Sequence, residues 1–588
     1  MASRVPQPSL GTGVGGDRLD SAPSHEGTGS GSNGVYLPPE SDSDDDSYSF
    51  IAASLDDVEL QQRDGKKIHV RELEEDEEVE DNTPFTKRRG SASTTQSFML
   101  YTPAEERAVI KKFDRRLVSF VSLLYMLSFL DRSSEFTNPT LRGHTLMSPL
   151  DIGNARIAGL ETDLSLTSGQ YEWVLTSFYI AYIAFEWMSL LWRIIPAHIY
   201  ISLIVLSWGI TASLQSCASS FTSLIILRLL LGIGEAGFTG IPYYLSFFYR
   251  KEELALRTGF FISAAPLATS FASSLAWAIL KLGEGGPIAS WRLLFLVEGF
   301  PSVIVAIIAW HIIPDGPAKA SYLTSRERKV ARLRLRRRPG EAARSTGGLK
   351  WREVLHTISD PKAYLTAVMF FFSNMAYSSM PVFLPTIIKS MGHSALKSQA
   401  LSAPPYLMAF VVVILTAYLS DKHCSRSSYI IFHALLSALG YLILAISHHY
   451  NIGIWIRYAA IYPACIGFFS VITLIITWTI NNQESESRQG AGFVMMQLIG
   501  QCGPLVGTRL YPEEDAPWYG LGMAACTGAM VMVATLAFIL RIVLARKNRR
   551  TDRGKMANIE YEMGGKSEQE EGFVPGKRDG GKAFVYML

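Results

Sequence analysis

The sequence predicts an all-α membrane protein of twelve transmembrane helices in two six-helix halves. Three observations predict it. Apolar residues make up 48% of the 588 and charged residues only 18%, yet the first hundred positions are polar, so the apolar share is concentrated further on. There it falls into runs close to the ~20 residues that cross a bilayer core as helix. A long basic stretch then divides those runs six and six, the arrangement of a repeated bundle around a central cavity.

Residues 1–105 read as a disordered acidic tail. Gly, Ser and Pro dominate its start, and Glu40 to Asp81 holds 17 acids against 4 bases. Such a segment cannot bury enough surface to offset its ordering entropy. The serines of "KRRGSAS" (87–93) would suit a kinase, on a weak signal. A cleavable signal peptide is not expected, because the N-terminus lacks a short apolar core. Twelve spans follow, near 113–133, 171–192, 197–216, 221–248, 257–281, 291–313, 363–388, 401–420, 428–447, 455–479, 488–509 and 518–542. Helix is required, since an isolated spanning segment must satisfy its own backbone.

Orientation follows the bases. The loop from Asp315 to Asp360 carries 12 Lys or Arg against 5 acids, including "RLRLRRR" (332–338). Lys111, Lys112, Arg115 and Arg116 precede span one, and Arg541, Arg546, Lys547, Arg549 and Arg550 follow span twelve. Both termini and the 314–362 loop are therefore expected in the cytosol, with 546–588 as a second cytosolic tail. The two bundles are expected at 106–313 and 363–545. Beside membrane spans this basic loop reads as an insertion signal, not a nucleic-acid surface. The five cysteines, Cys217, Cys424, Cys465, Cys502 and Cys526, match no zinc pattern and read as inert buried thiols.

Ionisable residues inside a membrane are costly and face a bundle interior or cavity. Asp131, Arg132, Glu186, Arg228 and Glu235 form that set. In "RLLLGIGEAG" (228–237), Arg228 and Glu235 are seven apart and share a helix face, about 10 Å apart along the axis. Span one runs outward and span four inward, so Asp131 and Arg228 both lie in the outer half. The expectation is that Asp131 pairs with Arg228 and leaves Arg132 for an anion; a purely structural ion pair is the alternative. An arginine fork donates two parallel hydrogen bonds to a carboxylate. Cargo that competes for the arginine would release the acid to take a proton, and the two would travel together. Glu186 is weighed equally between function and structure.

"FLDRS", "IGNARIAGL", "RLLLGIGEAGF", "WRLLFLVEGFPS" (291–302) and "PPYLMAF" (404–410) resemble the anion:cation symporter branch of the major facilitator superfamily, nearest the fungal allantoate, nicotinate and vitamin permeases. The resemblance covers about 106 to 545. It implies that Arg132 and Arg228 bind an organic anion and that Asp131 and Glu235 carry protons. Between spans two and three the superfamily usually has G-x-x-x-D-R-x-G-R-R, with charged contacts that gate the cytosolic side. Here "EWMSLLWRIIPAH" (186–198) leaves only Arg193 for that role. The second half is more conventional, and "AYLSDKHCSR" (417–426) supplies Asp421, Lys422 and Arg426. Related sequences run "FLDRSNIGNARI" without a break. Here "SEFTNPTLRGHTLMSPLD" (134–151) intervenes, with Pro139 and Pro149, unlike a continuing helix. Its ends can be encoded with splice-donor and splice-acceptor sequences, so most of 134–151 is expected to be a retained intron; a genuine insert would be an extracellular loop.

Tyr179, Asn374, Tyr377 and Gln497 are further cavity candidates, with Gln501; each alone is more often a helix-packing hydrogen bond. Gly232, Gly234, Gly237, Gly500, Gly503 and Gly507 are expected to let helices approach closely. His433, His448 and His449 show no ligand spacing. No nucleophile–base constellation appears, so an enzyme is not expected, and neither is a cofactor or metal. The reading is a monomeric plasma-membrane symporter that moves a small organic anion, such as a vitamin or a nitrogen-source acid, with a proton. A uniporter or exporter of the same cargo, or a non-transporting nutrient sensor, is the alternative.

Overall fold

A computed structural model describes residues 101–133, 160–283, 286–335, 349–390, 392, 395–507, 509–511, 515, 518–564 and 584–588. The acidic tail and the 134–151 insert lie outside the described residues.

All twelve expected spans are helices. Span one is a rod made of Pro103–Phe113, a π turn at Asp114–Val118 and Ser119–Ser133. The others are Ser168–Phe185, Ala197–Leu214, Phe221–Ala236, Leu254–Gly283 and Ser290–Ile312, then Pro361–Ser390, Ala395–Lys422, Ser427–Ile446, Ile454–Asn481, Glu486–Gly500 and Gly520–Gly564. Local chemistry starts several of them. Thr102 with Glu105, Thr167 with Gln170 and Ser220 with Ser223 form reciprocal caps that satisfy otherwise orphaned N–H groups. Span four loosens into a 3-10 turn at Gly237–Gly240 before Ile241–Leu245.

Among the described residues, eight helices are long and apolar enough to cross a membrane on composition alone. Over their described residues, spans one, two, seven and eleven are not among these eight. Span one carries Asp131 and Arg132 besides Arg115 and Arg116, and span eleven is divided into Glu486–Gly500 and Gly503–Gly507. Polar side chains inside a bundle lower a helix's apolarity without making it less able to span, provided they face protein or a cavity. Prolines sit inside spans five, six, eight and ten, at Pro266, Pro301, Pro404, Pro405 and Pro463. Neighbouring helices can satisfy the backbone groups that they free.

Glycines set the closest crossings. A Cβ on Gly232 would lie 2.5 Å from the Phe178 carbonyl, so spans two and four touch backbone to side. Gly503 likewise meets the Phe371 carbonyl of span seven. Between the halves, a Cβ on Gly259 of span five would lie 2.7 Å from the Ala417 Cβ of span eight.

Two features go beyond the expected layout. Span twelve runs on to Gly564, past the expected 542. The Arg, Lys, Met and Glu residues of its extension are strong helix formers that need no apolar surroundings. The basic loop also contains the helices Ser325–Leu335 and Trp351–Ile358. Its charges are paired with the start of span one: Lys112 with Glu327 at 2.6 Å, Arg326 with Glu105 at 3.0 Å and Arg334 with Glu106 at 3.3 Å. Arg334 also binds Glu253 at 2.6 Å and is wholly covered. These contacts define the basic end of the bundle.

The cysteines depart from the reading as buried thiols. All five are free; Cys465 and Cys526 are buried, but Cys217 and Cys424 are exposed and Cys502 is half-buried. Cys217 closes the 3-10 helix Gln215–Cys217 and Cys424 lies just past the end of span eight, both at exposed helix ends.

Candidate functional site

Three interior charges of the first half lie on spans one and four. Asp131 is 5% exposed, Glu235 1% and Arg228 2%. The Ser128 hydroxyl donates to Glu235 Oε2 at 3.4 Å, which fixes the register of the two helices. From that contact, Asp131 lies three residues on and Arg228 seven residues back. The helices are antiparallel, so both steps lead toward the same side, by about 4.5 Å and about 10.5 Å. Asp131 and Arg228 thus differ by about 6 Å in level, within reach of an arginine arm.

Arg228 has an aromatic neighbour that sequence spacing did not reveal. Its guanidinium lies over the ring of Phe295 on span six, 5.5 Å from the centroid. A cation over an aromatic face is stabilised by the ring quadrupole. Glu298, one turn further along span six, is also buried. It lies within the "WRLLFLVEGFPS" segment, but that acid was missed as an interior charge. Arg132 continues the helix of span one; its side chain lies outside the described residues. Tyr179 is half-buried on span two, edge-on to Phe178 at 5.3 Å. Because Phe178 meets Gly232, this places Tyr179 near the level of the span-four charges. Glu186 is fully buried and begins the 3-10 helix Glu186–Arg193.

The second-half candidates are built into helix contacts. Asn374 donates from Nδ2 to the Gly500 carbonyl at 3.2 Å, joining spans seven and eleven. Tyr377 packs edge-on against Phe468 and Phe469 of span ten at 5.5 and 5.4 Å. Gln497 is buried on span eleven. Arg457 of span ten, passed over in the sequence, is buried with its guanidinium 4.3 Å from the Trp518 ring. His433 is buried and its Nε2 lies 2.9 Å from the Thr416 hydroxyl, a packing contact between spans eight and nine.

The gating candidates lie where the halves meet at the basic end. Asp421 accepts the Ala255 and Leu256 N–H groups at 3.2 and 2.7 Å. It therefore caps the start of span five, where four N–H groups lack helical partners and the dipole favours an anion. Arg426 binds Asp421 at 2.5 Å, donates to Ser420 Oγ at 2.8 Å and reaches the Lys251 carbonyl at 2.9 Å. Lys422 is exposed at the end of span eight. On the other side, Arg193 forms an ion pair with Glu486, the first residue of span eleven. The Tyr243 hydroxyl donates to the Glu486 carbonyl at 2.9 Å, and Ser246 donates to Gln489 at 3.4 Å. Among the described residues, these contacts tie the two halves together at both seams.

The model of the Major Facilitator Superfamily matches residues 121–508. The chain belongs to the major facilitator superfamily. Among curated relatives, the MFS transporter prlL of Fungal sp. is 30% identical over 76% of this chain and 88% of that one. The MFS-type transporter cnsO of Penicillium expansum is 29% identical over 78% and 88%. The major facilitator-type transporter hxnP of Emericella nidulans is 29% identical over 77% and 89%. Among solved structures, the proton:xylose symporter XylE bound to 6-bromo-6-deoxy-D-glucose superposes with a TM-score of 0.54 at 12% identity, over 72% of this chain and 95% of that one. That likeness shows the shared fold. The chain is accordingly an integral membrane transporter and not an enzyme. Among the described residues no cluster of His, Cys, Asp and Glu could hold a metal ion.

Proposed function

We propose that this transporter is a proton-coupled symporter of a small organic anion, working by alternating access. The cargo class is a carboxylate, such as a vitamin or a nitrogen-source acid. The observation that carries the reading is the Ser128–Glu235 contact, which sets two buried acids and a buried arginine on facing helices within two turns of each other. Buried charge of both signs, held at a helix interface, is what exchange between a protein acid and a cargo carboxylate requires.

In the resting cycle Arg228 neutralises Asp131, and Arg132 is available to the cargo. An incoming carboxylate, drawn in by Arg132, competes with Asp131 for the Arg228 fork and takes it in two parallel hydrogen bonds. An acid deprived of its guanidinium in a low-dielectric setting takes a proton. Glu235 lies deeper along span four and passes the proton on toward the basic end. Tyr179, Asn374, Tyr377 and Gln497 complete the walls of the path. Arg193, Asp421, Lys422 and Arg426 gate the basic end, which faces the cytosol by its excess of Lys and Arg. Both termini then lie in the cytosol and the membrane is the plasma membrane. The transporter works as a monomer, with the bilayer as its surroundings.

The test is uptake of a panel of labelled carboxylates in a permease-deficient host, using the form without 134–151. The expected result is accumulation of one class, driven by an inward proton gradient and abolished in Asp131→Asn/Glu235→Gln. Undiminished, gradient-driven accumulation in that double variant overturns the reading.

A further inference from the structure

Residues 584–588, "FVYML", lie against the basic end in a site whose donors and acceptors match a peptide backbone. Two asparagines provide the match. Asn548, on the extension of span twelve, accepts the Tyr586 N–H at 2.9 Å and donates to the Tyr586 carbonyl at 2.8 Å. Asn482, at the end of span ten, does the same for the next residue: it accepts the Met587 N–H at 2.7 Å and donates to the Met587 carbonyl at 3.0 Å. The Met587 carbonyl takes a second bond from Trp478 Nε1 at 2.8 Å. Asn482 and Trp478 are themselves buried. An amide side chain that both donates to and accepts from one residue reads its backbone as a neighbouring strand would. Side chains add specificity: the Tyr586 hydroxyl donates to Glu484 at 3.2 Å, and Lys362 Nζ lies 4.3 Å from the Tyr586 ring centroid.

The same groups also hold the first half. Asn481 donates to Met587 Sδ at 3.4 Å and to the Lys251 carbonyl at 3.1 Å. Arg426 donates its backbone N–H to the Leu588 main-chain oxygen at 2.6 Å and its guanidinium to the Lys251 carbonyl at 2.9 Å. Lys251 Nζ completes the connection, lying 3.6 Å from the centroid of the Phe584 ring. Lys251 belongs to the joint between spans four and five, so any opening of the basic end must pull it away from Asn481, Arg426 and Phe584 together.

We propose that Asn482, Asn548 and Trp478 form a peptide-docking site whose ligand is segment 584–588, and that seating this segment holds the basic end closed. The segment orients Asn481 and Arg426 toward the Lys251 carbonyl and adds a cation–π contact of its own. It favours the closed state by its differential contacts with that state, which is the only way that a bound element shifts such an equilibrium. The inference rests on the alternating-access part of the reading above, and not on the cargo or the proton.

The experiment needs no cargo. Full-length protein in lipid nanodiscs carries spin labels at the native Cys424 and at Glu252→Cys, both exposed on either side of the seam, with the other accessible cysteines replaced by serine. Pulsed dipolar spectroscopy reads the distance across the basic end. Deletion of 584–588, and separately Asn482→Ala/Asn548→Ala, should each raise the long-distance population by at least about fivefold, the shift of a brake worth a few hydrogen bonds. Synthetic peptide of sequence FVYML, added to the deletion variant, should restore the short distance and fail to do so in the variant that lacks both asparagines. An unchanged distance distribution after deletion overturns the brake. A changed distribution that the peptide does not reverse overturns the docking site. Neither result bears on whether the cargo is an anion.

Discussion

The two seams at the basic end solve one problem with different chemistry. At the seam between spans five and eight, Asp421 accepts two backbone N–H groups while Arg426 grips Asp421, Ser420 and the Lys251 carbonyl. At the seam between spans two and eleven, a single side-chain pair, Arg193 with Glu486, stands beside the Tyr243 and Ser246 hydrogen bonds. The first seam fixes a helix terminus, so its acid cannot be replaced by a base. The second pairs two side chains, so its signs are exchangeable at the smaller cost of a cation on the first turn of span eleven. The difference teaches that loss of charged motif residues in the first half need not lose the charged contact between the halves: a partner placed on span eleven supplies it.

The largest effect is expected at Arg426. It is wholly buried, and Arg426→Ala leaves Asp421 without its guanidinium in a covered place. Breaking such a pair costs roughly 3–5 kcal/mol, so expression-normalised uptake should fall by about a hundredfold or more, with the basic end held open in the spectroscopic distance measurement. Next comes Gly259→Leu. Its side chain meets Ala417 at the crossing of spans five and eight, and overpacking of that kind costs roughly 1–3 kcal/mol. Uptake should drop about tenfold while folding, read by thermal stability in detergent, is retained; normal uptake would mean that this crossing does not tighten during the cycle.

A charge exchange sharpens the comparison. Arg193→Glu should reduce uptake several-fold, and Arg193→Glu/Glu486→Arg should recover most of it. Asp421→Arg/Arg426→Asp should recover nothing, because an arginine cannot accept the Ala255 and Leu256 N–H groups. Equal recovery at both seams would erase the distinction. The smallest effect belongs to the collar around span one. Lys112, by a hydrogen bond, holds the Glu327 carboxyl below its ordinary 4.5. An acid held low when folded stabilises above its ordinary value and loses that contribution as the pH falls through the lowered one. Lys112→Ala should therefore flatten the acid limb of a melting-temperature profile below about pH 4.5, by an amount small at neutral pH, as for other exposed pairs worth about 0–1 kcal/mol.

Much of the fold was legible because the bilayer leaves few choices. All twelve expected spans are helices, eight of them long and apolar enough by composition alone among the described residues, and their ends moved, as where span twelve continues through Arg and Lys residues that helices tolerate in water. The glycine crossings were legible too, since a missing Cβ at Gly232 or Gly503 has few other uses inside a bundle. Pairings across the fold were not. Nothing near Arg193 in the chain points to Glu486, nearly 300 positions later, and Phe295 beneath Arg228 looks like any apolar residue of span six. Glu298 and Arg457 carried a signal, a charge within an apolar run, and were overlooked. Asn374 shows the opposite case, a polar residue whose amide is occupied by the Gly500 carbonyl. The 584–588 segment had no signal at all: five residues after a polar tail gain meaning only from the asparagines that receive them.

The most direct test of the central claim measures protons and cargo at once. Purified transporter in liposomes, with a pH-sensitive dye inside and one labelled carboxylate outside, should acidify the lumen as the anion enters. Glu235→Gln should abolish that acidification while binding of the anion persists. Anion entry with no movement of protons, or acidification that survives the loss of both Asp131 and Glu235, would contradict the account.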